Sequence, residues 1–163
     1  MKRVLAFLAA IILISSLTAC NLSDENPENV LNRLDGIVGL IGNSQITSDE
    51  SLVGVRNNTE DSYTGEYIAK CNGQTGRDVI FGGGTIQKRS LRIRGRICQK
   101  SGKATIRIRM NTVVTELKTD EKGNFETMLD MTSGGNYIMI DYKNFSGSVE
   151  LISEYCSGSI QEI

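Results

Sequence analysis

Five arginines alternate with apolar residues between Leu91 and Met110. Arg92, Arg94 and Arg96 interleave with Leu91, Ile93 and Ile97; Arg107 and Arg109 interleave with Ile106, Ile108 and Met110. Period-two alternation places successive side chains on opposite faces of a strand. A two-residue turn at Ser101-Gly102 predicts a hairpin over 90–110, with Arg96 opposite Arg107 and Arg94 opposite Arg109. Like charges directly opposite one another destabilise a strand pair, so this face needs anions. One source is internal: Glu116, Glu126, Asp130, Asp141, Glu150 and Glu154 are available from neighbouring strands. The other is an anionic ligand, because a guanidinium forks carboxylate, phosphate or sulfate through two donors.

Other chemistries are thinner. The chain has no His, which removes Ser-His-Asp and Cys-His catalysis, imidazole proton shuttles and His metal ligands. No metal site is expected, since no CxxC occurs either, and no cofactor is implied. The only catalytic arrangement to consider is a carboxylate-dependent glycan hydrolase using Glu116 and Glu126, which have no motif around them. The expectation is that the protein is not an enzyme. Gly82-Gly83-Gly84 lacks the Lys-Ser/Thr of a phosphate-binding loop and reads as a flexible turn. Residues 120–124 lack the spacing of a calcium loop and read as a hairpin turn. Tyr67, Tyr137, Tyr142, Phe145 and Tyr155 read as sheet packing more than as a sugar-stacking platform.

At the start of the chain, Met1-Lys2-Arg3 is basic and Val4 to Leu17 is apolar apart from Ser15 and Ser16. This run is shorter than the ~20 residues a membrane-spanning helix needs and fits the core of a secretory leader. It ends in Leu17-Thr18-Ala19-Cys20. Here the sequence resembles bacterial lipoprotein signal peptides: an aliphatic residue, two small residues and a Cys. The resemblance implies a thioether-linked diacylglycerol at Cys20, cleavage before it, and a protein held by its acyl chains on the extracytoplasmic side of a membrane. Acyl chains anchor stably when two or more are present, each methylene contributing about 0.8 kcal/mol. Asn21 stands where an Asp would imply inner-membrane retention, and either membrane stays open. The remaining cysteines, Cys71, Cys98 and Cys156, are odd in number, so at most one disulfide is expected among them.

These residues must be positioned by the elements that follow. Residues 1–19 are read as the leader, 20–62 as a lipidated tether and 63–163 as the folded domain. Asn26-Pro27-Glu28 starts a short amphipathic helix over 27–41, with Val30, Leu31, Leu34, Ile37, Val38 and Ile41 at helical spacing. Residues 43–62 read as an extended loop. From 64 onward, seven short runs alternate with turn signals: 64–71, 90–99, 104–110, 112–117, 125–130, 136–142 and 148–155. No helix intervenes, which predicts an all-β domain, an antiparallel β-sandwich of jelly-roll or immunoglobulin-like type. Charge is segregated as well. Residues 77–109 carry 10 basic side chains and 1 acidic; each flanking segment, 21–76 and 110–163, carries 3 basic and 9 acidic. The resulting expectation is a membrane-anchored, non-catalytic domain binding an envelope or extracellular glycan, or a protein partner. The alternative is a structural subunit of an envelope assembly. Nucleic acid is not expected, because stacking aromatics are few and the net charge is −1.

Overall fold

The computed structural model describes residues 27–156; the leader and Cys20 lie outside them. The chain divides into two compact units between Leu34 and Asp35. Helix α1 (Pro27–Asn43) runs through that boundary, with Glu28 in its first turn to favour the positive end of the helix dipole. In the first unit, Leu31 and Leu34 are about half-exposed.

The second unit is antiparallel sheet: β1 (Val55–Asn58), β2 (Gly65–Thr85), β3 (Ser90–Met110), β4 (Val113–Glu116), β5 (Asn124–Asp130) and β6 (Gly134–Tyr155). The strand order is β1-β2-β6-β3-β4, with β5 also paired to β3. The all-β expectation with one helix holds. Two details differ. Residues 35–62 belong to this unit instead of forming a tether, because β1 pairs with β2 (Val55 with Ile68, Asn58 with Gly65). The seven short runs resolve into three long strands and two short ones, because several expected turns are bends within a strand.

The hairpin over 90–110 is therefore replaced by one continuous strand. β3 pairs with β6 from Leu91–Tyr155 to Met110–Asn136, so Arg96 and Arg107 are not partners. At Ser101 and Lys103 the register shifts, as it does in β2 between Cys71 and Gly76. In β6 the matching stretch holds Asn144 at φ 46°. Such shifts bend a strand and increase its twist. Gly102 shows why the site is restrictive. It sits at φ 68°, and a Cβ there would lie 2.0 Å from the Asn144 carbonyl oxygen.

Because the three strands bend together, the sheet doubles over itself. The Tyr67 hydroxyl donates to Asp78 at 2.5 Å, although both residues belong to β2. Eleven residues of straight strand would separate them by about 36 Å. The inward side chains of one half, among them Ile93, Ile97, Val149 and Leu151, meet those of the other, among them Ile80, Ile106, Ile138 and Ile140, in one core. Burying each such side chain contributes roughly 1.5–3 kcal/mol. Within the core Tyr67 also shares a hydrogen bond of 2.8 Å with the Tyr142 hydroxyl, and the Val53 amide donates to Asp78 at 3.0 Å. At mid-strand, Phe125 pairs with Gly95 and its ring fills the space a side chain at 95 would take.

Gly82-Gly83-Gly84 is not a turn. It is part of β2 and is buried, with the end of α1 lying on it. A Cβ on Gly42 would come within 2.0 Å of the Gly84 nitrogen, so the absence of side chains on both sides permits this approach. The Tyr137 hydroxyl closes the contact by donating to the Gly42 carbonyl at 3.0 Å. Of the helix's apolar stripe, Val38 lies against Gly84, whereas Ile37 remains 56% exposed.

Candidate anion-binding trough at the bend of the sheet

The outward face of β3 carries the arginine stripe, and its cross-strand neighbours neutralise most of it. Arg92 is flanked by β5 and β6 and pairs with Glu126 at 2.6 Å and Glu154 at 3.8 Å. Arg94 reaches the same Glu154 at 3.3 Å. Beyond the bend, Arg107 bridges Glu116 at 2.6 Å and Asp141 at 3.0 Å. Asp141 also accepts from Arg77, and this hydrogen bond holds its carboxyl below the usual carboxylate range against the opposing effect of burial. Arg109 lies over the Tyr137 ring, 4.3 Å from its centroid, and donates to the Gln45 side chain. The internal source of anions accounts for Arg92, Arg94 and Arg107, and stacking accounts for Arg109. The five do not form one face, because the bend sends Arg107 and Arg109 onto the other half of the sheet.

Arg96 is the exception. Its Nε donates to the Lys122 carbonyl at 3.3 Å. Although Glu150 faces Arg96 in strand register and the Arg96 charge helps lower the Asp120 carboxyl, no carboxylate of the described residues lies within 4 Å of its guanidinium. It stands where two depressions meet. One, of about 660 Å³, includes Lys118, Phe125 and Ile152; the other, of about 810 Å³, includes Lys70, Lys100 and Lys122, and both include Arg96 and Asp120. Together they form a trough between the outer surface of the sheet and the loop 117–123. Lys70, Arg96 and Lys100 come from the strands, Lys118 and Lys122 from the loop. None of these five has an ion-pair partner among the described residues. Including Arg94, six cationic side chains line the trough against four carboxylates: Asp120, Glu121, Glu126 and Glu150.

The loop is fixed in place. The Leu117 amide donates to Ile106 O at 3.0 Å, and the Ile97 amide donates to Gly123 O at 2.9 Å. Inside it, the Asp120 carboxylate accepts from the amides of Lys122 and Asn124 and from the Asn124 side chain, at 2.7–2.9 Å. The Asn124 side-chain bond leads these contacts in holding the Asp120 carboxyl below its ordinary range. Its oxygens are engaged within the loop itself. Among the described residues no group of three or more His, Cys, Asp or Glu side chains could hold a metal.

The other sequence candidates are dispersed. Glu116 pairs with Arg107 and Glu126 pairs with Arg94 in strand register, on opposite sides of the bend, so they form no carboxylate couple. Tyr67, Tyr137, Tyr142 and Phe145 are buried, and Tyr155 packs against Arg89 and donates to Asp61 at 2.6 Å. The expected sheet packing accounts for them. The trough lysines were not singled out in the sequence, although Lys100 and Lys122 flank two of its clearest turn signals.

Cys71, Cys98 and Cys156 are free thiols. Cys71 pairs with Gly147 and Cys98 with Ser148 on opposite flanks of β6. Two strand spacings separate them, about 9.6 Å, beyond the reach of a disulfide. Cys156 lies near the other end of β6, 3.6 Å from the Met128 sulfur. All three are expected to be alkylated in denatured, unreduced protein, as read by mass. An unmodified pair would contradict this register.

Comparisons with known proteins add little. No family model matches the chain, and no curated protein matches it. Among solved structures, a carbohydrate-binding module of Cellvibrio mixtus lichenase 5A, in complex with cellotriose, is similar at 9% identity and a TM-score of 0.34, over 69% of this chain and 93% of that one. A likeness of that degree defines neither ligand nor site for this chain.

Proposed function

We propose that the chain is a lipid-anchored extracytoplasmic lipoprotein, attached through Cys20, whose doubled sheet is a non-catalytic β-sandwich that holds an anionic glycan in the trough at its bend. One observation carries this reading. The arginines on the flanks of β3 are in ion pairs or stacked on an aromatic ring, whereas among the described residues the five cations of the trough make no ion pair within 4 Å, with Glu150 opposite Arg96 in strand register. Unmatched cations along a fixed groove favour a ligand that brings the negative charge. No exposed aromatic side chain lines the trough, which disfavours nucleic acid and flat stacking on neutral sugars.

The test is a titration of the full-length protein, in an uncharged detergent, with poly(glycerol phosphate). Affinity is expected to fall more than about tenfold between ~0.02 and ~0.15 M salt, because exposed charges are screened over roughly 8–10 Å in that range. Absent or salt-insensitive binding would count against the trough. Docking into an envelope assembly is a second reading, favoured by β4. Its four residues are all exposed, Val113 at 62% and Val114 at 48%, and it pairs on one side only, leaving an edge open to another strand.

A further inference from the structure

We infer that helix α1 lies on the surface of the bilayer that holds the acyl chains of Cys20, with Leu31, Leu34 and Ile37 in the interfacial layer. The inference rests on the lipid anchor proposed above and adds a second membrane contact. Three of the eight large apolar side chains exposed among the described residues stand on this helix. They are spaced three residues apart, so each neighbours the next along one side of it. A cluster of exposed apolar side chains marks an interaction surface, which scattered ones do not.

The helix meets the sheet with other residues. Val38 lies against Gly84, and Gly42 lies against Gly83 and Gly84. The Asp35 carboxylate accepts from the Thr85 hydroxyl at 2.8 Å and from the Ile86 amide at 2.7 Å. Spacings of three and four put Asp35, Val38 and Gly42 on one side of the helix. Leu34 and Ile37 each stand one position before a member of that set, about 100° around the axis. The contact with the sheet therefore uses one side of α1, and the exposed apolar residues lie on another.

Two observations favour lipid as what covers them. The first is reach. Seven peptide steps separate Cys20 from Pro27, at most about 25 Å of chain. A segment tethered so closely meets its own membrane at high effective concentration, and interfacial helices bury their apolar side by roughly 5–10 Å. The second is charge. Of the three charged residues in α1, Asp35 is engaged by the sheet and by Arg89 at 3.5 Å. The other two, Glu28 and Arg33, are of opposite sign and cancel. Insertion then rests on apolar contact and not on attraction to anionic headgroups.

The experiment uses the full-length mature protein in phosphatidylcholine vesicles at low protein density. The chain has no Trp, so Leu34→Trp introduces a single fluorescent reporter. Val113→Trp, on the exposed strand β4, is the control. Lipid brominated along its acyl chains is expected to quench the Leu34→Trp emission at least about twofold, because the reporter sits at the acyl boundary, and to leave the control unchanged. Replacing part of the phosphatidylcholine with phosphatidylglycerol should not alter the quenching. If Leu34→Trp melts below wild type, Leu31→Trp takes its place. A protein that floats with the vesicles while its reporter stays unquenched would overturn the contact and leave the anchor intact. Blue-shifted emission without quenching would assign the face to protein, and to a second copy if the shift disappears on dilution in lipid. Equal quenching of reporter and control, or quenching only with phosphatidylglycerol, would also overturn the inference. Protein that carries no acyl group by mass and does not float would remove the anchor itself.

Discussion

Asp78→Ala is expected to lower the melting temperature by at least about 10 °C. Asp78 is 1% exposed and accepts from the Tyr67 hydroxyl at 2.5 Å and the Val53 amide at 3.0 Å. Tyr67 in turn shares its hydroxyl with Tyr142. Removing the carboxylate orphans buried donors, each costing about 1–3 kcal/mol, and opens a cavity between the two halves of the sheet. A total of about 3–5 kcal/mol is in the range of the largest single-residue effects and corresponds to roughly 10–20 °C for a unit of this size. Asp78→Asn keeps an oxygen that can accept at the same place and should lose less than half as much. Tyr67→Phe removes one donor without stranding the Val53 amide and should fall between wild type and Asp78→Ala. Thermal melts of the three variants check the order. A near-native melt for Asp78→Ala would mean that the contact between the halves of β2 does not hold the doubled sheet.

Lys70→Glu combined with Lys100→Glu is expected to weaken poly(glycerol phosphate) binding by about 30–100-fold, or roughly 2–3 kcal/mol, with little change in melting temperature. Both side chains are exposed and unpaired, so their reversal breaks no contact within the fold. Arg107→Glu makes the opposite prediction. It would set three acids together where Arg107 now bridges Glu116 and Asp141, lowering the melting temperature while leaving the affinity within about threefold. A calorimetric titration and a melt on each protein separate the two roles. If Arg107→Glu removed binding and the lysine reversals did not, the binding face would be the flank of β3 and not the bend.

The elements were largely legible in the sequence, because each rests on a local pattern. Alternation of Leu91, Ile93 and Ile97 with Arg92, Arg94 and Arg96 marks an inner and an outer face whatever lies beside the strand. Spacing and capping marked the helix near its observed limits. β1 was missed because Val55–Asn58 has one apolar residue and is held by pairing with β2 instead of by a buried face.

The connections could not be read in the same way. Ser101-Gly102 and Phe145-Ser146-Gly147 carry the local signature of a tight turn, and a turn and a bulge both call for a residue able to take positive φ. The choice between them depends on the neighbouring strand. At the bend, β2, β6 and β3 carry their irregular residues alongside one another, so bending all three keeps both ladders paired from end to end, Gly65–Thr85 of β2 and Leu91–Met110 of β3. A hairpin at 101–102 would give up that pairing. This tertiary choice moved the site as well. The sequence by itself determined that the arginines alternate with inward apolar residues and that acids were available to meet them. Only the tertiary structure brought Glu126, Glu154 and Glu116 to the flanks of β3 and set Arg96 opposite Glu150, because the partner of a surface charge is set by strand register and not by its position along the chain.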